Sequence, residues 1–186
     1  MELILASGSP RRAELMRLMQ LDFTVIKSGA DEEISGDLEP GEYVKELSYR
    51  KAEFVACDRP DACVIGSDTI VVYDGNVLGK PKDTDDACDM LRMLSGKTHK
   101  VYTGIACIYG DKRMVDYDAT EVTFSELTDD EIRKYAESGD PLDKAGAYGI
   151  QGQFCKHIEG IRGSYFTVIG LPVHKLYKML KEIENI

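Results

Sequence analysis

Apolar and polar positions along the chain alternate between two rhythms, and the switch from one to the other predicts its elements. Residues 3–6 read as a buried strand, residues 10–19 as a helix and residues 23–26 as a second strand. From 42 to 56, Val44, Leu47, Phe54 and Val55 fall at helical spacing and predict a helix with one buried stripe. Residues 62–72 and those after Asp74-Gly75-Asn76 predict a hairpin, since Asp-Gly favours a tight turn. Thr84 is expected to cap a helix that reaches Leu94 and stops at Ser95-Gly96. Two long strands, 101–109 and 114–124, turn at Gly110-Asp111-Lys112. Thr128-Asp129-Asp130-Glu131 is a capping-box sequence opening a helix that ends at Ser138-Gly139. A strand near 165–169 and a last helix after Pro172 complete the pattern. Strands and helices mix without repeat, low-complexity tract or linker. The expected fold class is therefore α/β, one domain over 1–186 with an elongated mixed β-sheet flanked by helices.

Composition narrows the partners. The 186 residues carry 23 Lys+Arg against 33 Asp+Glu, a formal charge of −10. Binding to duplex nucleic acid or to an anionic membrane is driven by phosphate neutralisation, so neither is expected as a partner. A small phosphorylated ligand remains compatible if cations are concentrated locally or a metal ion helps. The apolar run 1–6 is too short for a signal-peptide core, and no stretch approaches the roughly 18 apolar residues of a membrane span. The five cysteines include no CxxC pair, and Cys63, Cys88 and Cys107 lie among apolar neighbours, as buried reduced thiols do. A cytoplasmic protein is expected.

Candidate chemistry begins at Ser7-Gly8-Ser9-Pro10-Arg11-Arg12. Ser9 suits an N-cap and Pro10 the first helical position. Arg11 and Arg12 then occupy the positive end of the helix, where cations cost about 0.3–1 kcal/mol each. The two clear helix starts elsewhere carry acids there instead. A strand–turn–helix with two guanidiniums suits an anion, phosphates above all. The alternative is that both arginines pair with surface carboxylates.

Lys51 projects from the apolar side of its helix, so it either snorkels to water or points into a cleft at an anion. Asp68 lies inside the run Val64-Ile65-Gly66-Ser67-Asp68-Thr69-Ile70, where an ionised carboxylate is costly without a cation or strong donors. It is a candidate metal ligand or general base, with Thr69 beside it, or else a strand-end aspartate at a turn. Asp31-Glu32-Glu33 adds carboxylates; Glu32, Glu33 and Asp68 together would make an oxygen site for Mg²⁺ or Mn²⁺. Lys80 adds charge after the hairpin. In the glycine-rich stretch 143–152, Lys144, Tyr148 and Gln151 offer polar contacts, and the Gln151 amide can both donate to and accept from a base edge.

These pieces resemble the Maf family of nucleoside triphosphate pyrophosphatases. The matching motifs are Ala6-Ser7-Gly8-Ser9-Pro10-Arg11-Arg12, Glu32-Glu33, Lys51-Ala52, Gly66-Ser67-Asp68-Thr69, Gly79-Lys80-Pro81, the stretch 90–99, Thr103-Gly104, Asp143-Lys144-Ala145-Gly146 and Gly170-Leu171-Pro172. They occur in family order, with Ser67 where an alanine is familiar. The resemblance implies an elongated Maf/ITPase-like α/β fold with a central cleft between two lobes, often dimeric. It also implies cleavage of a nucleoside triphosphate to monophosphate and pyrophosphate with a divalent cation. The 143–152 stretch is similar to the branch acting on dTTP and UTP; the 7-methyl-GTP branch and a nucleotide-binding cell-division regulator without turnover are the alternatives. By the same resemblance, Asp68 corresponds to the proton acceptor, and Arg11, Thr69 and Gln151 to positions linked with specificity. Ser7, Ser9, Arg11, Arg12, Lys51 and Lys80 are expected to hold the triphosphate.

Overall fold

A computed structural model describes residues 1–34 and 36–184. Its elements are β1 (Glu2–Leu5), α1 (Pro10–Leu18), β2 (Thr24–Val25), α2 (Pro40–Ala56), β3 (Ala62–Tyr73), β4 (Asn76–Leu78) and α3 (Thr84–Leu94), followed by β5 (Thr98–Tyr109), β6 (Lys112–Phe124), α4 (Asp129–Ala136), β7 (Ile158–Arg162), α5 (Tyr165–Ile169) and α6 (Val173–Glu184). Seven strands form one open sheet in the order β2-β1-β3-β5-β6-β7, with β4 beside β3. β1 runs parallel to β2 and β3, whereas the β3–β4 and β6–β7 pairs are antiparallel. The mixed sheet flanked by helices is the class that the patterning predicts. The predicted hairpin is present too: Asp74 and Gly75 both have positive φ, +49° and +76°, as a type I′ turn requires.

The chain forms two compact units, each assembled from separate stretches. The first comprises Met1–Thr69, Thr103–Asp118 and the segment from Gly170 onward. Its core includes Ile4, Ala6, Ala52, Val55, Ala62, Val64, Ala106 and Ile108. Here α2 lies unusually close to the sheet. A Cβ added to Gly66 would fall 2.1 Å from the Ser48 carbonyl oxygen, and one added to Gly104 would fall 2.1 Å from that of Val44. The buried stripe of α2 is accordingly Gly41, Val44, Leu47, Ser48, Ala52 and Val55. Phe54, expected in that stripe, is 53% exposed and packs its ring over Gly29 instead. Backbone proximity, not side-chain bulk, defines the interface, and small residues carry it.

The second unit comprises Ile70–Tyr102 and Ala119–Ile169. Its core joins α3 and α4 to an aromatic cluster in which the Phe124 ring lies 4.7 Å from both His99 and Tyr148 and 4.9 Å from Phe154. His99 is 2% exposed; its Nε2 shares a 2.9 Å hydrogen bond with Tyr148 Oη, and its buried Nδ1 has no partner. Burial pushes its pKa down to about 4, so the ring is neutral.

Two predicted features are corrected. Asp83, not Thr84, caps α3, its side chain accepting from the Asp86 N–H, so Thr84 is the first helical residue. Residues 165–169 form helix α5, and the strand lies earlier, at β7. Tyr-Phe-Thr-Val-Ile is rich in β-formers, but a run of five residues, four of them apolar, carries no period that separates strand from helix. β7 itself is largely exposed and shows no alternation. Gly163, with φ +135° and its Cβ position 2.5 Å from Thr120 Oγ1, turns the chain between them.

Candidate functional site

The turn from β1 into α1 is built around one hydroxyl. Ser9 holds the N-cap position but makes no side-chain cap; its N–H instead donates to Ser7 Oγ at 3.2 Å. Ser7, 6% exposed, also accepts from Arg12 Nη1 at 3.0 Å. A hydroxyl that accepts twice keeps its own proton to donate. Arg12 further donates from Nε to the Gly170 carbonyl at 2.8 Å and from Nη2 to Thr69 Oγ1 at 3.2 Å. Its fork thus ties three segments of the first unit to α1 and retains two N–H groups. Burial lowers the Arg12 pKa, opposed by the charge of Asp68, reinforced by Arg11 and opposed again by Glu32. The guanidinium remains charged. Arg11, one position earlier, is half-buried.

Asp68 lies within β3, not at its end, and is 9% exposed. The close packing of α2 brings Lys51 to it: Nζ lies 2.6 Å from Asp68 Oδ1 and 3.1 Å from Glu32 Oε1. Lys51 therefore does not snorkel; its side chain is 12% exposed and turned to two carboxylates. On either side of Asp68, Ser67 Oγ donates between the carbonyls of Gly104 (2.7 Å) and Gly170 (3.1 Å), and Thr69 Oγ1 lies 3.1 Å from Thr103 Oγ1.

Glu32 reaches this cluster from a loop shaped by its neighbours. The Glu33 N–H donates to Asp31 Oδ1 at 2.9 Å, and the Glu33 carbonyl accepts from Arg50 at 2.8 Å. Glu33 itself is exposed and is not gathered with Glu32 and Asp68. Among the described residues no group of three or more His, Cys, Asp or Glu could hold a metal ion. The carboxylates that reach the Lys51 ammonium among the described residues are two, Asp68 and Glu32.

Lys80 and Gln151 belong to the second unit, exposed and half-buried respectively. The other polar residues of the 143–152 stretch hold the loop itself. Lys144 Nζ bonds the Asp140 backbone carbonyl, Asp140 Oδ1 and Asp143 Oδ1, and Tyr148 is buried against His99. Gly146, at φ +68°, leaves its Cβ position 2.9 Å from a Val71 methyl. Its glycine therefore answers to packing. The sequence reading missed the carbonyls of Gly104 and Gly170 as parts of the site, because a backbone acceptor has no side-chain signature. The nearest available signal was that both glycines stand in the ordered motifs.

A sequence profile of Maf-like proteins matches residues 2–183. The chain belongs to the Maf family. This Maf protein is 47% identical over 98% of its length to a dTTP/UTP pyrophosphatase of Bacillus cereus (strain G9842), covering 96% of that relative. It is also 47% identical to a dTTP/UTP pyrophosphatase of Bacillus cytotoxicus, over 98% of this chain and 95% of the other. Among solved structures, the Ham1 protein of Staphylococcus aureus is similar at a TM-score of 0.57 and 17% identity, over 99% of this chain and 100% of that one. A HAM1 protein of Coxiella burnetii gives 0.55 and 16%, over 98% and 99%. These two likenesses establish the fold. No helix among the described residues is long and apolar enough to cross a membrane.

Proposed function

We propose that this Maf protein hydrolyses dTTP and UTP to the monophosphate and pyrophosphate. The observation that carries the reading is the buried Asp68–Lys51 pair beside the Arg12-tied turn, in a chain whose relatives at 47% identity bear that name. Ser7, with a proton to donate, Ser9, Arg11, Arg12 and the exposed N–H groups of α1 would receive the triphosphate, with Lys51 and Lys80 adding charge. Asp68 would take a proton from the attacking water. As the water oxygen bonds to the α-phosphorus, the bond to the oxygen bridging to the β-phosphate breaks, and pyrophosphate leaves with that electron pair.

A divalent ion fits the donors at hand. Mg²⁺ is commonly held by one or two carboxylates together with substrate phosphates, and Asp68 and Glu32 are such a pair. When bound, Mg²⁺ or Mn²⁺ supplies Lewis-acid compensation of charge on the phosphoryl oxygens. Lys51 holds the two carboxylates together against their mutual repulsion. Gln151 would read the pyrimidine edge, its N–H meeting O2 or O4 and its carbonyl meeting N3–H. Thr69, bonded to Arg12 and Thr103, would act on specificity through the placement of that guanidinium. Five free cysteines suit a reducing cytoplasm.

A nucleotide panel assayed with and without EDTA tests this. Monophosphate and pyrophosphate are expected from dTTP and UTP, with loss on chelation and recovery with Mg²⁺ or Mn²⁺. Faster turnover of 7-methyl-GTP, or no pyrophosphate from either pyrimidine in the presence of metal, overturns it.

A further inference from the structure

We propose that Lys27 is a further phosphate-binding residue, its ammonium closing over an anion held at the Ser7-Gly8-Ser9 turn. The inference rests on the pyrophosphatase reading and deepens it.

The backbone sets Lys27 beside the turn. β2 pairs with β1 in parallel, Leu5 opposite Val25, and the Ile26 N–H continues the ladder to the Leu5 carbonyl at 3.1 Å. The next step along both chains brings Lys27 level with the residues that leave β1. Its aliphatic stem lies along the turn: the position a Cβ would take on Gly8 is 3.4 Å from Lys27 Cδ, 3.5 Å from Cγ and 3.6 Å from Cε. A methyl group on Gly8 would just touch the stem, so the stem faces the turn across the space a side chain there would fill, and the residue as a whole is exposed.

Charge makes the placement informative. Among the described residues the Lys27 ammonium makes no hydrogen bond or ion pair, in a chain with 33 acidic residues. Lys51, Lys144 and Lys175 are engaged by Asp68, Asp143 and Asp116, whereas Lys27 shares its freedom with other exposed lysines such as Lys80 and Lys100, so it is the place beside the turn that singles it out. Two of the cations near the turn, Lys51 and Arg12, are, moreover, offset. Lys51 and Arg12 carry two positive charges against Asp68 and Glu32, and Arg12 spends three of its N–H groups within the chain. A triphosphate arriving there meets little net positive charge from this group. An uncommitted ammonium on a flexible tether whose stem faces the turn adds to it.

The alternative is a stem that merely covers backbone while its head sits in water. Lys27→Met keeps the stem and removes the charge, and Lys27→Arg restores the charge. Three quantities separate the cases: steady-state constants for dTTP, the dissociation constant of inorganic tripolyphosphate by calorimetry, and the melting temperature. Lys27→Met is expected to raise both the KM and the tripolyphosphate constant about tenfold, the loss of one charge-assisted contact. Its melting temperature should not change, and Lys27→Arg should stay near wild type. The gap should narrow as salt is raised. Lys27→Met with wild-type KM and tripolyphosphate affinity overturns the inference and leaves the pyrophosphatase reading intact. If wild type turns over no nucleotide but binds tripolyphosphate in a Lys27-dependent way, the reading fails and the anion contact stands.

Discussion

Asp68 Oδ1 lies 2.6 Å from an ammonium, and in the proposed reaction its other oxygen would take the proton. Asp68→Asn keeps the shape and removes the base, so kcat/KM for dTTP should fall by about 10²–10⁴ with an unchanged far-ultraviolet circular dichroism spectrum. Near wild-type turnover would strip Asp68 of that role. His99 gives a prediction with a definite sign. Its folded pKa of about 4 lies below the ordinary 6.5. Between those values the unfolded chain binds a proton that the folded one does not. The contribution is therefore present above about pH 6.5 and lost as pH falls towards 4, by up to about 3 kcal/mol. Urea midpoints at pH 7 and 4.5, with the His99 ring followed by NMR, check it; a ring that protonates near pH 6.5 in the folded protein refutes it. At this scale the sequence was legible where side chains do unusual things. Arginines in a first helical turn and a carboxylate in an apolar strand both pointed at the site. The pairing of Lys51 with Asp68 and Glu32 was not legible, since it depends on how closely a helix approaches a strand.

That approach is a property of elements. Gly66→Ala would put a methyl group 2.1 Å from the Ser48 carbonyl, which is helix backbone and cannot rotate away. The helix must move and carry Lys51 with it. A loss of about 3 kcal/mol is expected by urea unfolding, with a fall in kcat/KM beyond the change in stability. Gly79→Ala is the control, because nothing lies within 4 Å of its Cβ position. Equal losses at the two sites would refute the packing argument. Elements with strong local chemistry were readable in advance: the Asp74-Gly75 turn, and the capping box in which Thr128 and Glu131 satisfy each other's backbone N–H groups. Elements defined by their neighbours were not. Phe54 looked like core because it is apolar, while Gly41, Ser48 and Ala52, which make the interface, have little hydrophobic weight. β7 owes its strand geometry to pairing with β6, not to any alternation of its own.

On the scale of the molecule, the sequence suggested one undivided domain, because composition marks boundaries by linkers and none is present. The two units change over at Thr69/Ile70 in β3, at Tyr102/Thr103 in β5, at Asp118/Ala119 in β6 and at Ile169/Gly170 at the end of α5. The first three of these run through strand residues that read as ordinary β-structure, so the sequence carries no linker at them. The acidic balance, by contrast, was readable at once, and it gives the few cations at the β1–α1 turn their weight.

One bond has a consequence in time. Arg12 Nε closes on the carbonyl of residue 170, and Ser67 shares that acceptor. On the ribosome, the turn is synthesised 158 residues before the carbonyl that seats its guanidinium. The proposed nucleotide hydrolysis should therefore begin only after residue 170 has emerged, and nascent chains stalled before that carbonyl emerges should be inactive.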